Sequence, residues 1–395
     1  MSDLSHPNEF EAYEAQRRTR VVFGANSIDR LGELVLQQGA QRAFLVTDPG
    51  LVAAGHVNRA EVALQGSGLE VRRFDGVPEN PTSDDVEHCR QALGDWDAQV
   101  LVGFGGGSSI DVAKGCNFVR AGGGRMEDYW GEGKARGELI PLIAVPTTAG
   151  TGTEVQSFAL IEQPGSHQKM ACGDPKAAPV IALLDPTLTL TMPRMVTACT
   201  GLDAIGHAVE TAVTKIRNPA SHHYATEAFR LAHIHLPRVL SNPDDLAART
   251  QMLKAATFAG IAIEHSMLGA AHSIANPLTA HYGVVHGQAV GMALPHVVRF
   301  NAADAETASI YATLARATNV CPEDTPEQGA VEALALRLED LLVTTGFGGA
   351  WSRLSSLVDI PMLAAEAANQ WTAQFNPRRV NTPEFTELFC TAFEA

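Results

Sequence analysis

The chain is poor in several things, and each shortage excludes something. Its six cysteines (Cys89, Cys116, Cys172, Cys199, Cys321 and Cys390) are far apart, with no C-x-x-C pair. That argues against a disulfide framework or a thiolate zinc site and for reduced thiols. No run of ~18 uninterrupted apolar residues occurs, so no segment reads as a bilayer-spanning helix. Met1–Gln16 is polar and acidic, without the apolar stretch of a secretory signal. Bases are scarce, 29 against 44 acids for a formal charge of −15, and no basic cluster is longer than Gln16–Arg20. Neither nucleic acid nor a membrane is therefore expected as a partner. Internal repeats and low-complexity tracts are absent, and aromatics make up only 6%. Together the shortages point to a cytoplasmic protein.

What is present suffices for two domains. The 395 residues are 45% hydrophobic, enough for two full cores. Up to about residue 185, β-rich runs alternate with helical spacing. The strand candidates are Val21–Phe23, Ala43–Thr47, Leu69–Phe74, Ala98–Val102, Ile140–Val145, Phe158–Ile161 and Val180–Leu184. Between them Ile28–Gln38, Leu51–Leu64, Ser83–Leu93 and Ser108–Arg120 read as helices. This alternation predicts parallel βαβ units in an open sheet. Beyond about residue 190 only helical patterns remain: Val196–Val213, Ala220–Val239, Leu246–Ser266, Gly287–Arg299, Glu306–Arg316, Glu327–Thr344 and Pro361–Gln374. Pro186 and Pro193 punctuate the boundary.

Three segments of the first half carry binding chemistry. Leu101–Asp111 reads strand, glycine turn (Gly105, Gly106, Gly107), then Ser108 opening a helix. Such a turn either lets backbone N–H groups approach a pyrophosphate or is a plain tight connection. It is not a P-loop, since no G-K-[ST] follows. Val145–Glu154 holds Thr147, Thr148, Thr151 and Thr153 with Gly150 and Gly152, just after a strand. It is a second donor-rich loop where open sheets bind ligands, or a self-satisfied connection. Asp48, ending the second strand before Pro49, either accepts from ribose hydroxyls or makes an Asx-Pro turn.

The second half concentrates histidine. Five of 14 histidines, His265, His272, His281, His286 and His296, fall between residues 265 and 296. Asp203 and His207 stand at i and i+4 in an apolar helix, a spacing that converges two ligands on one ion. His272 sits in a small-residue helix and His286 in a turn feeding the next. One carboxylate and three imidazoles suit Fe²⁺, Zn²⁺ or a similar divalent ion. His222, His223, His233 and His235 read as hydrogen-bonded or solvated helix residues, and His6, His56, His88 and His167 as surface residues.

Taken together, Gly105–Ser108 with Asp111, Pro146–Glu154, Gly201–Ala204 with His207 and Glu210, Ala271–Gly287 and Asn376–Arg378 resemble the iron-containing (group III) alcohol dehydrogenase family, from about Arg18 onward. The resemblance implies an α/β N-terminal dinucleotide-binding domain with a Rossmann-like parallel sheet, residues 1–188. An all-α C-terminal metal-binding domain, residues 189–395, would follow, with the active site in the cleft between. It implies metal ligation by Asp203, His207, His272 and His286. Pyrophosphate binding falls to Gly105, Gly106, Gly107 and Ser108, and further cofactor contacts to Thr147, Thr148 and Lys169. Asp48 falls where NAD-preferring relatives carry an acid. Many members have a histidine four residues after the His272 position, used in proton handling. Here that residue is Asn276, which cannot titrate near neutral pH. His281, five residues after Asn276, either substitutes for it or only lines the cleft. The implied reaction is hydride transfer between nicotinamide C4 of NAD, in preference to NADP, and a small metal-bound alcohol, aldehyde or ketone. The implied assembly is a homodimer or larger homo-oligomer. Two other readings remain: a metal- and NAD-using lyase of the dehydroquinate-synthase-like type, and a metallohydrolase. For the lyase few basic groups are at hand, Lys215 and Arg217 being the nearest. For the hydrolase no H-E-x-x-H or G-x-S-x-G motif exists.

Overall fold

The computed structural model describes residues 19–165, 168–354 and 358–394. The polar leader Met1–Gln16, most of the basic cluster Gln16–Arg20, and His6 and His167 lie outside them. Among the described residues nine strands occur: β1 (Arg20–Phe23), β2 (Arg42–Val46), β3 (Glu70–Phe74), β4 (Val100–Gly105), β5 (Gly131–Glu132), β6 (Leu142–Pro146), β7 (Phe158–Glu162), β8 (Lys169–Gly173) and β9 (Ile181–Leu184). Helices α1 (Leu31–Leu36), α2 (Pro49–Ala53), α3 (His56–Gly66), α4 (Ser83–Leu93) and α5 (Gly107–Gly122) alternate with them. From Arg194 onward the described residues contain no strand. There follow α6 (Arg194–Thr211), α7 (Pro219–Ser241), α8 (Leu246–Glu264), α9 (Ala270–Tyr282), α10 (His286–Asn301), α11 (Ala305–Ala317), α12 (Glu327–Thr345), α13 (Ala350–Leu354), α14 (Ile360–Ala368) and α15 (Thr382–Glu394).

Six strands form one sheet in the order β1-β9-β6-β4-β2-β3, every pair parallel. Because side chains alternate between faces, Ala43, Leu45, Val100 and Val102 join one core with α1 and α3. Phe44, Val46 and Leu101 join the other with α4 and α5. Helices on both faces explain why β4 and β6 read as unbroken apolar runs. A side sheet, β5-β8-β7, was not expected in this form. β8 has the sequence KMACG, too rich in small residues to stand out as a strand, and is held by antiparallel pairing to β7. The helix expected over Leu51–Leu64 is two helices: Gly55, at φ 80°, ends α2 and restarts the chain as α3. In the second half α9 runs through Pro277 to Tyr282, and α15 forms where no helix was expected. No helix among the described residues is long and apolar enough to cross a membrane.

The segment after β6 joins sheet to helices. Gly152 has φ +66°, and a Cβ there would lie 2.6 Å from Gly260 Cα of α8. Glu154 accepts from Thr257 Oγ1 at 2.8 Å and Glu264 from Ser157 N at 3.0 Å, both bonds reaching α8. On the sheet side the buried Lys114 of α5 donates to Thr153 O at 2.8 Å and Phe158 O at 2.7 Å. An ammonium is affordable in this interior only because these acceptors and Asp111 surround it. Burial pulls Lys114 below the usual lysine range, against the opposing pull of Asp111, Glu264 and Glu154.

Close backbone contact at Gly152 yields a comparison. Gly152→Ala combines positive φ with a clash and should cost more than about 2 kcal/mol. Gly346→Ala, at φ +92° with open space around it, should cost about 1 kcal/mol. Urea-unfolding midpoints of the two variants measure the difference, and equal shifts would show that the Gly152–Gly260 contact is not tight.

Candidate active site

Helix α6 supplies Asp203, His207 and Glu210, at i, i+4 and i+7 on one buried face. His272 comes from the first turn of α9, and His286 is the first residue of α10. Glycines allow this convergence. A Cβ at Gly206 would lie 2.3 Å from Val290 Cγ1 of α10, and one at Gly287 would lie 2.0 Å from Cys199 O of α6. His207 Nε2 and His272 Nε2 each stand 3.5 Å from Asp203 Oδ1, and His286 Nε2 stands 3.7 Å from it. The ligand atoms of Asp203, His207 and His272 all lie within 4.8 Å of one another. His286, 25% exposed at its side chain, stands at the rim.

Each of the four residues keeps a buried atom without a hydrogen-bond partner: Asp203 Oδ1, His207 Nδ1, His272 Nε2 and His286 Nδ1. Two of these, Asp203 Oδ1 and His272 Nε2, face each other at 3.5 Å, and such a costly orphaned pair fits a cation that the protein side chains do not replace. A set of one carboxylate and three imidazoles suits a borderline divalent ion. Burial raises the Asp203 pKa, but His207, His272 and His286 outweigh it and hold the carboxyl well below its usual range. Burial lowers His207, with Asp203 only partly opposing. Burial and the nearby Lys169 charge bring His286 down to about 3. His272 is the exception: burial would lower it, yet Glu210 and Asp203 raise it to about 9.

Glu210 does two jobs. Its carboxylate accepts from His272 Nδ1 at 2.5 Å, which turns Nε2 toward Asp203. It also accepts from Ala271 N at 2.7 Å and Gly269 N at 3.1 Å, capping α9. Asn376 accepts from Ala270 N at 3.2 Å and is tied to Asn301, giving the same helix end a second anchor.

The other wall is built by the two loops at the carboxyl ends of β4 and β6. Thr147 N donates to Gly105 O at 2.9 Å. A Cβ at Gly106 would lie 3.3 Å from Thr148 Cγ2, and one at Gly107 would lie 2.9 Å from Thr151 Cγ2. No side chain caps α5, so its first N–H groups, next to Ser108, remain available to an anion. Asp48 caps α2 through Leu51 N at 3.0 Å, as the turn reading required. Its second oxygen accepts from Ser109 Oγ at 3.3 Å, so the carboxylate also faces the glycine turn. The threonine loop meets the helix that carries Asp203 and His207 directly, since a Cβ at Gly150 would lie 2.5 Å from Thr200 Cβ of α6.

The family described as iron-containing alcohol dehydrogenase matches residues 18–186, and its C-terminal family matches residues 197–393. The chain belongs to the iron-containing alcohol dehydrogenase family. It is similar to the NAD-dependent methanol dehydrogenase of Bacillus methanolicus, 31% identical over 372 residues, 94% of this chain and 97% of that one. It is 32% identical over 378 residues to the 1,3-propanediol dehydrogenase of Citrobacter freundii, 94% and 96% of the two chains. A solved 1,3-propanediol oxidoreductase superposes with TM-score 0.90 at 31% identity, covering 94% of this chain and 97% of that one.

Against that family pattern, Asn276 and His281 fall apart in space. Asn276, one turn beyond His272, lines a cleft cavity of about 350 Å³ together with Lys169, Glu79 and Thr279. His281 does not join it. Its Nε2 pairs with Glu366 Oε2 of α14 at 2.8 Å, with the imidazole side chain 38% exposed. Five residues along a helix turn a side chain about 140° away, whereas Thr279 and Ala280 share the face of Asn276. Glu210 received no role from the sequence, although its i+7 spacing from Asp203 was a readable signal. Glu79 had no sequence signal, because only the fold brings its loop to the cleft.

Two outcomes follow for metal uptake. Glu210→Gln should weaken divalent-ion affinity by about 10- to 100-fold in competition with a chromophoric chelator. An unchanged affinity would reduce Glu210 to a helix cap. A ligating imidazole must be neutral, and His272 is held protonated up to about pH 9 in the ion-free protein. Apparent affinity should therefore fall about tenfold for each pH step downward from there. A flat affinity profile between about pH 6 and 8 would contradict this.

Proposed function

We propose that the protein oxidises short alcohols, or reduces the corresponding aldehydes and ketones, using NAD and one divalent ion, with iron the first candidate and zinc the second. The observation that carries this is the cluster of Asp203, His207 and His272, whose ligand atoms lie within 4.8 Å of one another, with Asp203 and His207 on a helix that also touches the threonine loop. When bound, the ion would polarise the substrate oxygen and the nicotinamide would take or give the hydride.

The remaining work belongs to the chain. Asp203 brings negative charge to the ion and Glu210 holds His272 in its ligating tautomer. Gly105, Gly106, Gly107 and Ser108, with the open start of α5, receive the cofactor pyrophosphate. Thr147 and Thr148 brace that turn from the second loop, and Lys169 extends toward the cofactor from the cleft wall. Asp48 accepts from ribose hydroxyls and repels a 2′-phosphate, favouring NAD. Residues 1–188 supply the cofactor half and 189–395 the ion-binding half, which hold the reacting groups against each other. The groups a phosphorylated lyase substrate would need are committed elsewhere: Arg217 pairs with Glu306, and Lys215 donates to Gln374 O at 3.1 Å. No nucleic acid or membrane partner is proposed. The outer edge of β1, with Val21 and Phe23 exposed, supports a homodimer or larger homo-oligomer. Six unpaired cysteines suit the cytoplasm.

The test is spectrophotometric. The protein is incubated with NAD⁺ and a panel of short primary alcohols and diols, with and without added Fe²⁺ or Zn²⁺, and NADH is followed. NADH should appear, and appear faster with metal. No NADH from any alcohol, and no oxidation of NADH by any aldehyde, would overturn the proposal. Asp48→Gly should raise the kcat/KM for NADP relative to NAD by about tenfold or more. An unchanged ratio would remove the selectivity role of Asp48.

A further inference from the structure

A second cavity lies where the first turns of α6 and α8 meet the threonine loop. Its volume is about 10 Å³, room for one body the size of a water. Ala149 of the loop, Thr197 and Thr200 of α6, and Arg249 and Met252 of α8 line it. None of the candidate ion ligands and none of the glycine-turn residues does, so it is separate from the site already described.

Arg249 is only 2% exposed. Its one side-chain hydrogen bond among the described residues runs from Nε to Pro243 O at 2.5 Å. A guanidinium carries five N–H donors, so the four on its terminal nitrogens meet no protein acceptor there. No carboxylate pairs with it either. Asp245, four residues back, is committed to Ala248 N at 2.9 Å and to Arg238 Nη2 at 2.8 Å. Burial pulls Arg249 below the usual arginine range, and the exposed Asp244 offsets this only in part. Arg249 also stands in the first turn of α8, at the positive end of the helix dipole. A buried cation in that position calls for a negative partner.

Thr197 brings a second donor to the same cavity. Other helical threonines of this chain commit the hydroxyl to the carbonyl four residues back. Thr200 donates to Val196 O at 2.8 Å, Thr211 to His207 O at 2.7 Å and Thr250 to Leu246 O at 2.6 Å. Thr197, 6% exposed, does not: its Oγ1 is buried without a hydrogen-bond partner. An orphaned hydroxyl and an unpaired guanidinium on one cavity are both satisfied by a single anionic acceptor. The volume has no room for a carboxylate, sulfate or phosphate.

We propose that this cavity is a halide site, in which one chloride ion accepts from the Arg249 guanidinium and Thr197 Oγ1. The ion ties α8 to α6, the helix of Asp203 and His207, behind Ala149 of the threonine loop.

Bromide is the probe, because it replaces chloride and is located by anomalous diffraction. A crystal of the full chain soaked in sodium bromide should show an anomalous peak between Arg249 and Thr197. In solution, thermal unfolding is compared in sodium chloride, sodium bromide and sodium gluconate at equal ionic strength, gluconate being too large to enter. Both halides should raise the midpoint by about 1–3 °C over gluconate, saturating with concentration. Thr197→Val, nearly isosteric, should raise the halide concentration at half that rise by about tenfold or more. Arg249→Met should abolish the halide effect; if that variant does not fold, the valine variant and the bromide map decide. A cavity body without anomalous signal is a water and overturns the proposal. So do equal midpoints in halide and gluconate, or a halide effect that Thr197→Val leaves unchanged. A bromide peak without any halide effect in solution is binding at crystal concentration only, and overturns it as well.

Discussion

A carboxylate sits where water does not reach. Asp203 is 5% exposed in the middle of a helix whose neighbours are Leu202, Ala204 and Ile205. Such a charge is tolerated only with positive charge beside it. Three imidazoles surround it, yet burial pushes two of them toward the neutral form, and the third, His272, is shared between Asp203 and Glu210, so two buried carboxylates face one protonated imidazole. That deficit organises the helical half. Helices α6 and α9 bring ligand atoms of Asp203, His207 and His272 within 4.8 Å of one another, and glycines at 206 and 287 let α10 with His286 approach closely. Glu210 adds a second buried acid and spends it on holding His272 and capping α9.

The cofactor side depends on the same packing. The threonine loop presses on the glycine turn at one end and on α6 and α8 at the other. Its base is pinned by Lys114 below and by Glu154 and Glu264 against α8. Each of these buried polar groups is satisfied by a neighbour across the junction, so the loop, α5 and α8 hold one relative position. The loop is thereby registered against Asp203 and His207 on α6 without a separate device. Precision of this kind comes from mutual satisfaction of buried donors and acceptors more than from apolar contact, which tolerates sliding.

Much of this was legible in one dimension. The strands β1 to β4, β6, β7 and β9 and the helix α4 followed from periodicity and turn residues, most plainly β2, β4, β6 and β9, since parallel strands covered on both faces must be apolar throughout. The glycine turn, the threonine loop and the pair Asp203 and His207 could be read because each is a local spacing. The side-sheet strand β8 could not, because its pairing with β7, and not its composition, makes it a strand. Helix α9 was legible only around His272, because Pro277 and small residues obscured its length. The break at Gly55 was hidden by an apolar rhythm that continues across it.

Residue type and local spacing, together with the order of motifs along the chain, sufficed to determine the family and the parallel sheet followed by helices, and to single out Asp203, His207 and His272, which the fold brings together. These are properties of short windows, where physics acts through neighbours three or four residues apart. The tertiary structure alone decided what each candidate faces. It turned His281 outward to Glu366 and left Asn276 in the cleft, although five residues separate them. It brought Glu210 to His272 across 62 residues and Gln370 to Asn276 across 94. Orientation about a helix axis and contact between distant segments depend on how helices pack, and packing is a property of the whole chain.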